Sequence, residues 1–380
     1  MKVALVHDYI KEYGGAERVL EALHELYPDA PVYTLVYLPK FLGPHRERFK
    51  DWEIKTSIAQ FLPFKAKLIS PLRLLAPTLF RRFDFKDFDV VIVSATGAYI
   101  PNQIQKGKAV QICYCHTPPR YLYGYATARE WKKHVVFRTL AVIANHFLRM
   151  TDFSAAKNVD YYIANSQEVQ KRIEKFYRRD ATVIYPPVDT NSKSETRNPK
   201  QSQNTKYKIP DTSYYLTGGR LARPKHVDLI VRVCTKMKLP LKVFGKAFAG
   251  YGEELRALAG PTVEFLGEVS DGEKSGLMRG AKAFLFASED EDFGIVPVEA
   301  MAHGTPVIAY RSGGVKESVI DGKTGVFFDE LTDESLSKAI KKFQMVYFNS
   351  KVCQKQAEKF GKKRFQEEIE QFIARAIKER

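Results

Sequence analysis

Short apolar runs rich in β-branched residues alternate with longer amphipathic stretches along the chain, which predicts parallel strands joined by crossover helices. In the first half, Val3–Val6, Val90–Ser94, Val110–Cys115, Tyr162–Asn165 and Thr182–Tyr185 read as strands. Glu130 to Leu148 reads as one long helix. The chain then turns polar from Pro186 to Thr205, with almost no large apolar residue, as a linker or exposed loop does. The alternation restarts with strand candidates Tyr214–Thr217, Leu241–Phe244, Val263–Leu266, Ala283–Ala287, Pro306–Ala309 and Val326–Phe328. Helices fit at Val227–Lys236 and Asp271–Met278. From Lys359 onward, Phe365, Ile369, Phe372, Ile373 and Ile377 recur at helical spacing, a stripe that must be covered by something. The expected fold is α/β, with two Rossmann-like domains facing each other across a cleft and sites at the C-terminal ends of strands. The expected boundaries are 1–187 for the first domain, 188–210 for the linker and 211–358 for the second domain.

A length of 380 residues suits two domains of ordinary size, and the apolar and charged fractions are those of a soluble globular protein. No apolar run approaches the ~20 residues of a membrane span, and the start of the chain has no signal-peptide layout. Four cysteines without zinc-like spacing fit a reducing compartment. Cys113 and Cys115 lie two apart on a strand and share a face, as buried thiols. These features together read as cytoplasmic. The net charge of +16 asks for an anionic partner. No nucleic-acid-binding pattern is present. Residues 61–82 offer another partner: bulky apolar residues mixed with Lys65, Lys67, Arg73, Arg81 and Arg82, and no acid. That mixture suits an anionic membrane surface, and equally a Pro-interrupted loop with solvated cations.

Candidate chemistry gathers in Ser288–Ala309. The strand Ala283–Ala287 leads into an acidic cluster, a glycine-containing loop, and a helix opening near Pro297 that carries Glu299. Helix-start amides attract phosphate. Glu291 and Glu299 have the wrong sign for phosphate but can accept hydrogen bonds from sugar hydroxyls. A nucleotide-sugar site and an ordinary solvated helix start both fit. Just past another strand end, Arg220 and Lys225 flank a glycine turn and could clamp a diphosphate. Gly14 and Gly15 open a helix after the first strand, as a ligand loop or a tight turn. His116 ends the strand before Thr-Pro-Pro, with Arg120, Tyr121 and Tyr123 beyond it as polar and aromatic surface. Asp290-Glu-Asp292 resembles a D-x-D metal signature, yet nearby cations and amides already suffice for the phosphates, so no metal is expected.

Glu291 to Glu299 resembles the E-x7-E motif of retaining GT-B glycosyltransferases of family GT4. Gly218–Lys225, Phe265–Ser270, Gly304–Ala309, Gly313–Glu317, Asn165-Ser166 and the Gly14–Arg18 loop agree, so the resemblance spans nearly the whole chain. It implies a GT-B fold whose C-terminal helix, about 359–380, crosses back to the N-terminal domain. It implies that Arg220 and Lys225 neutralise the donor diphosphate and that Glu299 holds the ribose. Glu291 and the amides of Phe293 and Gly294 would engage the transferred sugar, with Glu268 and Val269 beside the base. His116 would reach the sugar from the acceptor side, and Gly14 and Gly15 would approach the phosphates or acceptor. His116, Arg220, Lys225 and Glu291 are thus the catalytic candidates. His226 stands where the family usually has Gly, and Pro187 where Gly is common, which marks those loops as locally different. The stretches around His7 and Cys113–Tyr123 are similar to bacterial O-antigen and polysaccharide mannosyltransferases. That implies GDP-mannose as donor, a lipid-linked saccharide as acceptor, no cofactor, and a place on the inner face of the plasma membrane. A UDP- or ADP-sugar donor, an epimerase of the same shape, and a polyanion-binding module are the competing readings.

Overall fold

The computed structural model describes residues 1–126, 135–190 and 214–379. Most of the expected linker, and residues 130–134 of the expected long helix, lie outside them. The chain divides into two compact units. The first comprises Met1–Tyr125, the chain as far as Pro187, and the C-terminal stretch from Lys363; the second runs from Val188 to Lys362.

The first unit is built on a seven-stranded, wholly parallel sheet. Its strands are β1 (Val3–His7), β2 (Val32–Thr34), β3 (Ile54–Thr56), β4 (Val90–Ala95), β5 (Val110–Cys115), β6 (Tyr161–Ala164) and β7 (Thr182–Val183), in the order β3-β2-β1-β4-β5-β6-β7. Both faces are buried, which is why the central strands are continuous apolar runs. Ala4, Val6, Val91, Val93, Cys113 and Cys115 pack on one side, with both thiols on the expected common face. Val3, Leu5, Val90, Ile92, Val110, Ile112 and Tyr114 pack on the other.

The helix Lys362–Lys378 lies on that second side, bringing Phe365, Ile369, Phe372, Ile373 and Ala376 into the core. Burying the four large side chains is worth roughly 6–12 kcal/mol in gross transfer terms, an upper bound. Ile377, expected in the stripe, is exposed instead. The buried period continues from Ile373 to Ala376, so Ile377 falls a residue beyond the face.

Other expectations are corrected. β2 and β3, three residues each, were not foreseen because so short a run carries no period of its own. The long helix runs Val135–Asn158, ten residues beyond Leu148. Its inner stripe continues as Leu148, Asp152, Ala155 and Ala156, all buried, and the acid disguises the pattern. Residues 61–82, expected as a membrane face or a Pro-interrupted loop, run in several short pieces. They make short turns, Lys65–Leu68, Pro71–Leu74 and Ala76–Phe80, interrupted by prolines. Among the described residues no helix is long and apolar enough to cross a membrane.

The second unit holds six parallel strands: β8 (Tyr215–Gly218), β9 (Leu241–Phe244), β10 (Val263–Gly267), β11 (Ala283–Phe286), β12 (Val307–Tyr310) and β13 (Gly325–Phe328). Their order is β10-β9-β8-β11-β12-β13, and Tyr215, Ile230, Val243, Leu285, Ile308 and Val326 pack together in the core on one side of the sheet.

Candidate active site

In each sheet the strand order reverses at one place, between β1 and β4 in the first and between β8 and β11 in the second. Such reversals open a crevice at the carboxyl ends of the flanking strands. Most of the candidate residues leave strands at these two places.

In the second unit the chain leaves β8 through Gly218 and Gly219. The loop after β9 presses on it so closely that a Cβ at Gly245 would lie 1.8 Å from the Gly219 carbonyl oxygen. Arg220 follows, its exposed guanidinium over the Phe248 ring at 5.4 Å. Lys225 ends a short 3-10 turn and donates a hydrogen bond to the Glu291 carboxylate; the Ser288 hydroxyl donates to the same oxygen. The two sequence candidates are therefore paired with each other. His226 sits in the left-handed region (φ 46°), the conformation for which glycine is preferred.

The Ser288–Gly294 loop is held from two sides. Glu289 N–H bonds the Pro224 carbonyl (2.9 Å) and Asp290 N–H bonds Ser312 Oγ (3.1 Å). Gly314 N–H bonds the Glu291 carbonyl (2.8 Å). Gly313 lies at φ +69° with room for no Cβ, since one would stand 2.1 Å from that same oxygen. Gly294, also left-handed, then opens the helix Ile295–Ala302, two residues earlier than expected. Phe293 is buried against Phe360. Glu299 is 5% exposed and accepts a 2.9 Å hydrogen bond from Lys274, which also lies 3.5 Å from Asp271. Lys274 was not among the candidates, because Asp271–Arg279 reads as a solvated helix with nothing to single it out. Glu268 is exposed and pairs with Lys246 at 3.4 Å, and Val269 beside it is half-buried. Among the described residues no group of three or more His, Cys, Asp or Glu is placed to hold a metal ion.

In the first unit, His7 ends β1, and Ser94 pairs with it in register on β4. His116 follows β5 directly. Ser94 Oγ lies 3.1 Å from His7 Nδ1 and 2.9 Å from His116 Nε2, joining the two rings. Burial, then the neighbouring His7, pushes the His116 pKa down to about 3, so the ring is neutral at pH 7. Glu17, in the helix Gly15–Leu26, lies 3.7 Å from His7 Nε2, an ion-pair distance too long for a hydrogen bond. Its carboxylate also accepts from Gly14 N–H at 2.8 Å, so the Gly14-Gly15 turn is tied down by its own helix. Burial alone would raise the Glu17 carboxyl, but the His7 ring and the Gly14 amide hold it below its ordinary value. Asp8 is fully buried, with Oδ2 taking N–H groups of Thr96 (2.9 Å) and Ala98 (3.3 Å). Its Oδ1 has no hydrogen-bond partner, and burial raises its pKa despite those bonds. Neither His7, Ser94 nor Asp8 stood among the predicted site residues, because a buried strand end looks the same in sequence whether it carries chemistry or packing.

Residues 199–362 match the model for glycosyl transferases group 1, and residues 13–192 match that for glycosyltransferase family 4. The chain is 26% identical to alpha-1,3/1,6-mannosyltransferase ALG2 of Mus musculus, covering 96% of this chain and 94% of that one. It is 30% identical to D-inositol 3-phosphate glycosyltransferase of Corynebacterium jeikeium over 63% of this chain and 65% of the relative. Among solved structures, sucrose-phosphate synthase of Thermosynechococcus elongatus matches with a TM-score of 0.74 at 16% identity over the full length of both chains. Anabaena HepE in complex with UDP matches with a TM-score of 0.69 at 19% identity, covering 98% of this chain and 100% of that one. These last two likenesses concern the fold.

Proposed function

Since the chain belongs to the GT4 family of glycosyltransferases, we propose that it moves an α-mannosyl group from GDP-mannose to a hydroxyl of a lipid-linked saccharide, with retention and without a metal. The observation that carries this reading is the Lys225–Glu291 pair, set with Ser288 where the second sheet reverses. A lysine held by a carboxylate is an ammonium kept ready for a stronger anion. A donor diphosphate takes Lys225 and Arg220, and Glu291 is released to accept hydrogen bonds from the sugar. Glu299 takes the ribose hydroxyls, the Phe293 and Gly294 amides face the sugar, and Glu268 and Val269 border the base. The bond from C1 to the leaving phosphate oxygen breaks as the acceptor oxygen bonds C1 on the same face. The acceptor proton passes to that phosphate oxygen. Positioning and stabilisation of the departing charge supply the catalysis. Mannose follows from the relatives named as mannosyltransferases that align over most of the chain.

The lipid-linked acceptor motivates a membrane contact, at the inner face of the plasma membrane, in surface polysaccharide assembly. Phe61, Leu62, Phe64, Leu74 and Leu75 are exposed beside Lys67, Arg81 and Arg82, and Lys65 and Arg73 are partly so. A shallow cavity of about 310 Å³ lined by Leu74, Pro77 and Arg81 continues this face onto Phe147 of the long helix, itself exposed.

Thermal shift with GDP, UDP, ADP and their hexose conjugates, with and without chelator, tests the donor. A chelator-insensitive shift with GDP, enlarged by mannose, is expected. A shift with UDP- or ADP-sugars alone discards GDP-mannose and keeps transfer. Product released without any acceptor favours an epimerase. Lys225→Ala should abolish turnover in a protein that melts within a few degrees of wild type; an unfolded variant sinks the assignment.

A further inference from the structure

A buried polar chain, Glu17–His7–Ser94–His116, leads to the catalytic candidate of the first unit, and each link sets the direction of the next. Glu17 is ionised and can only accept. Its Oε1 lies 3.7 Å from His7 Nε2, beyond hydrogen-bond length, and attracts the ring proton to that side by charge alone, which leaves the lone pair at Nδ1. Ser94 has one hydroxyl proton, and His7 Nδ1 accepts it. The Ser94 oxygen is then left to accept from His116 Nε2. His116 thus holds its proton on Nε2, and Nδ1, which no hydrogen bond reaches among the described residues, carries the free lone pair. The ring is also pinned through its backbone, where Asn165 Nδ2 donates to the His116 carbonyl at 3.0 Å.

We propose that Glu17, His7 and Ser94 are positioning residues that lock His116 as the neutral Nε2–H tautomer, so that it meets the sugar as a hydrogen-bond acceptor. The second half of this statement rests on the reading of His116 given above; the first half stands without it. The consequence is a specificity rule. The ring selects a free hydroxyl, which can donate, and rejects a deoxy or O-methyl group at the same place. It does not act as an acid.

The test is 15N-histidine NMR of the wild-type protein at pH 8, with the His116 signal assigned by its loss in His116→Gln. A pyrrole-type Nε2 and a pyridine-type Nδ1 are expected. The reverse assignment, or an imidazolium at His7, overturns the chain whatever the enzyme transfers. Ser94→Ala should mix the tautomers and lower kcat/KM about 10–100-fold, the effect of one unsupported buried hydrogen bond, with nucleotide affinity unchanged. Ser94→Thr should restore both. Glu17→Gln keeps the side chain's size and gives the same readout if Ser94→Ala folds poorly. In Ser94→Ala an unchanged tautomer overturns the positioning role, and mixed tautomers with wild-type transfer overturn the contact with sugar. Absence of any donor binding counts against the proposed function alone, leaving the tautomer result in place.

Discussion

Lys274 and Glu299 are the sharpest place to test how the second unit is held together. The ammonium and the carboxylate are 2.9 Å apart, and their side chains are 15% and 6% exposed. Lys274→Met takes the ammonium at 2.9 Å away from a nearly buried carboxylate. Breaking a buried pair from one side costs about 3–5 kcal/mol, and the partial exposure of Lys274 places the cost at the low end, about 3 kcal/mol. For a unit of this size each kcal/mol moves Tm by roughly 2–4 °C, so the melting transition should fall by about 6–12 °C. Glu299→Gln should be milder, about 1 kcal/mol, because Lys274 keeps Asp271 at 3.5 Å and some solvent. The double variant removes both charges and should cost little more than Glu299→Gln alone. The assay is a double-mutant cycle by scanning calorimetry at pH 7.5 without nucleotide. Single losses that add to within about 0.5 kcal/mol refute the coupling, since sites without mutual interaction behave that way.

Three further outcomes are expected. His226→Gly, which removes a left-handed histidine at a cost in chain entropy, should raise Tm by about 1–3 °C; a lowered Tm rejects the strain at this loop. Asp152 is buried with its pKa raised to about 7, chiefly by burial and against the hydrogen bond from Tyr123 (2.8 Å). The folded state then holds a proton the unfolded chain has lost, so stability declines as pH rises from about 4 to 7. Asp152→Asn should therefore stabilise the protein at pH 8 and change little near pH 4; equal effects at both pH values dismiss the shift. Neutralising Lys65 and Lys67 should weaken sedimentation with anionic vesicles by up to about 30-fold at low salt, from ~1 kcal/mol per cation near the surface, and Phe61→Glu should weaken it at any salt. Unchanged sedimentation in both excludes the membrane face.

The central strands of both sheets were legible because each is buried on two faces and so shows as an unbroken apolar run. Cys113 and Cys115 were legible by the period of two. Edge strands such as Ile54–Thr56 were not, since neither length nor burial marks them. At the site, glycines and carboxylates near strand ends were visible, and their grouping was not. Lys225 and Glu291 read as serving different parts of a ligand, but only the fold brings these residues, 66 positions apart, into contact. Lys274 was hidden for the same reason: its partner lies on another helix, and its own stretch looks like any solvated turn. The Glu17–Ser94 chain joins three separate segments through buried polar atoms, which hydropathy reads as simple interior.

The C-terminal helix has a consequence for biosynthesis. Phe365, Ile369, Phe372 and Ile373 join Val19, Leu20, Leu23 and Phe49 on one face of a sheet whose first strand begins at Val3, so that face emerges from the ribosome only partly covered. The whole of Val188–Lys362 must be made before the cover arrives. At 5–20 residues per second that interval is on the order of 10–35 s. For that time the nascent first unit exposes the part of that apolar face which the helix Lys362–Lys378 later covers. A premature stop anywhere in the second unit therefore damages the first, and the two share one fate in quality control although each has its own core.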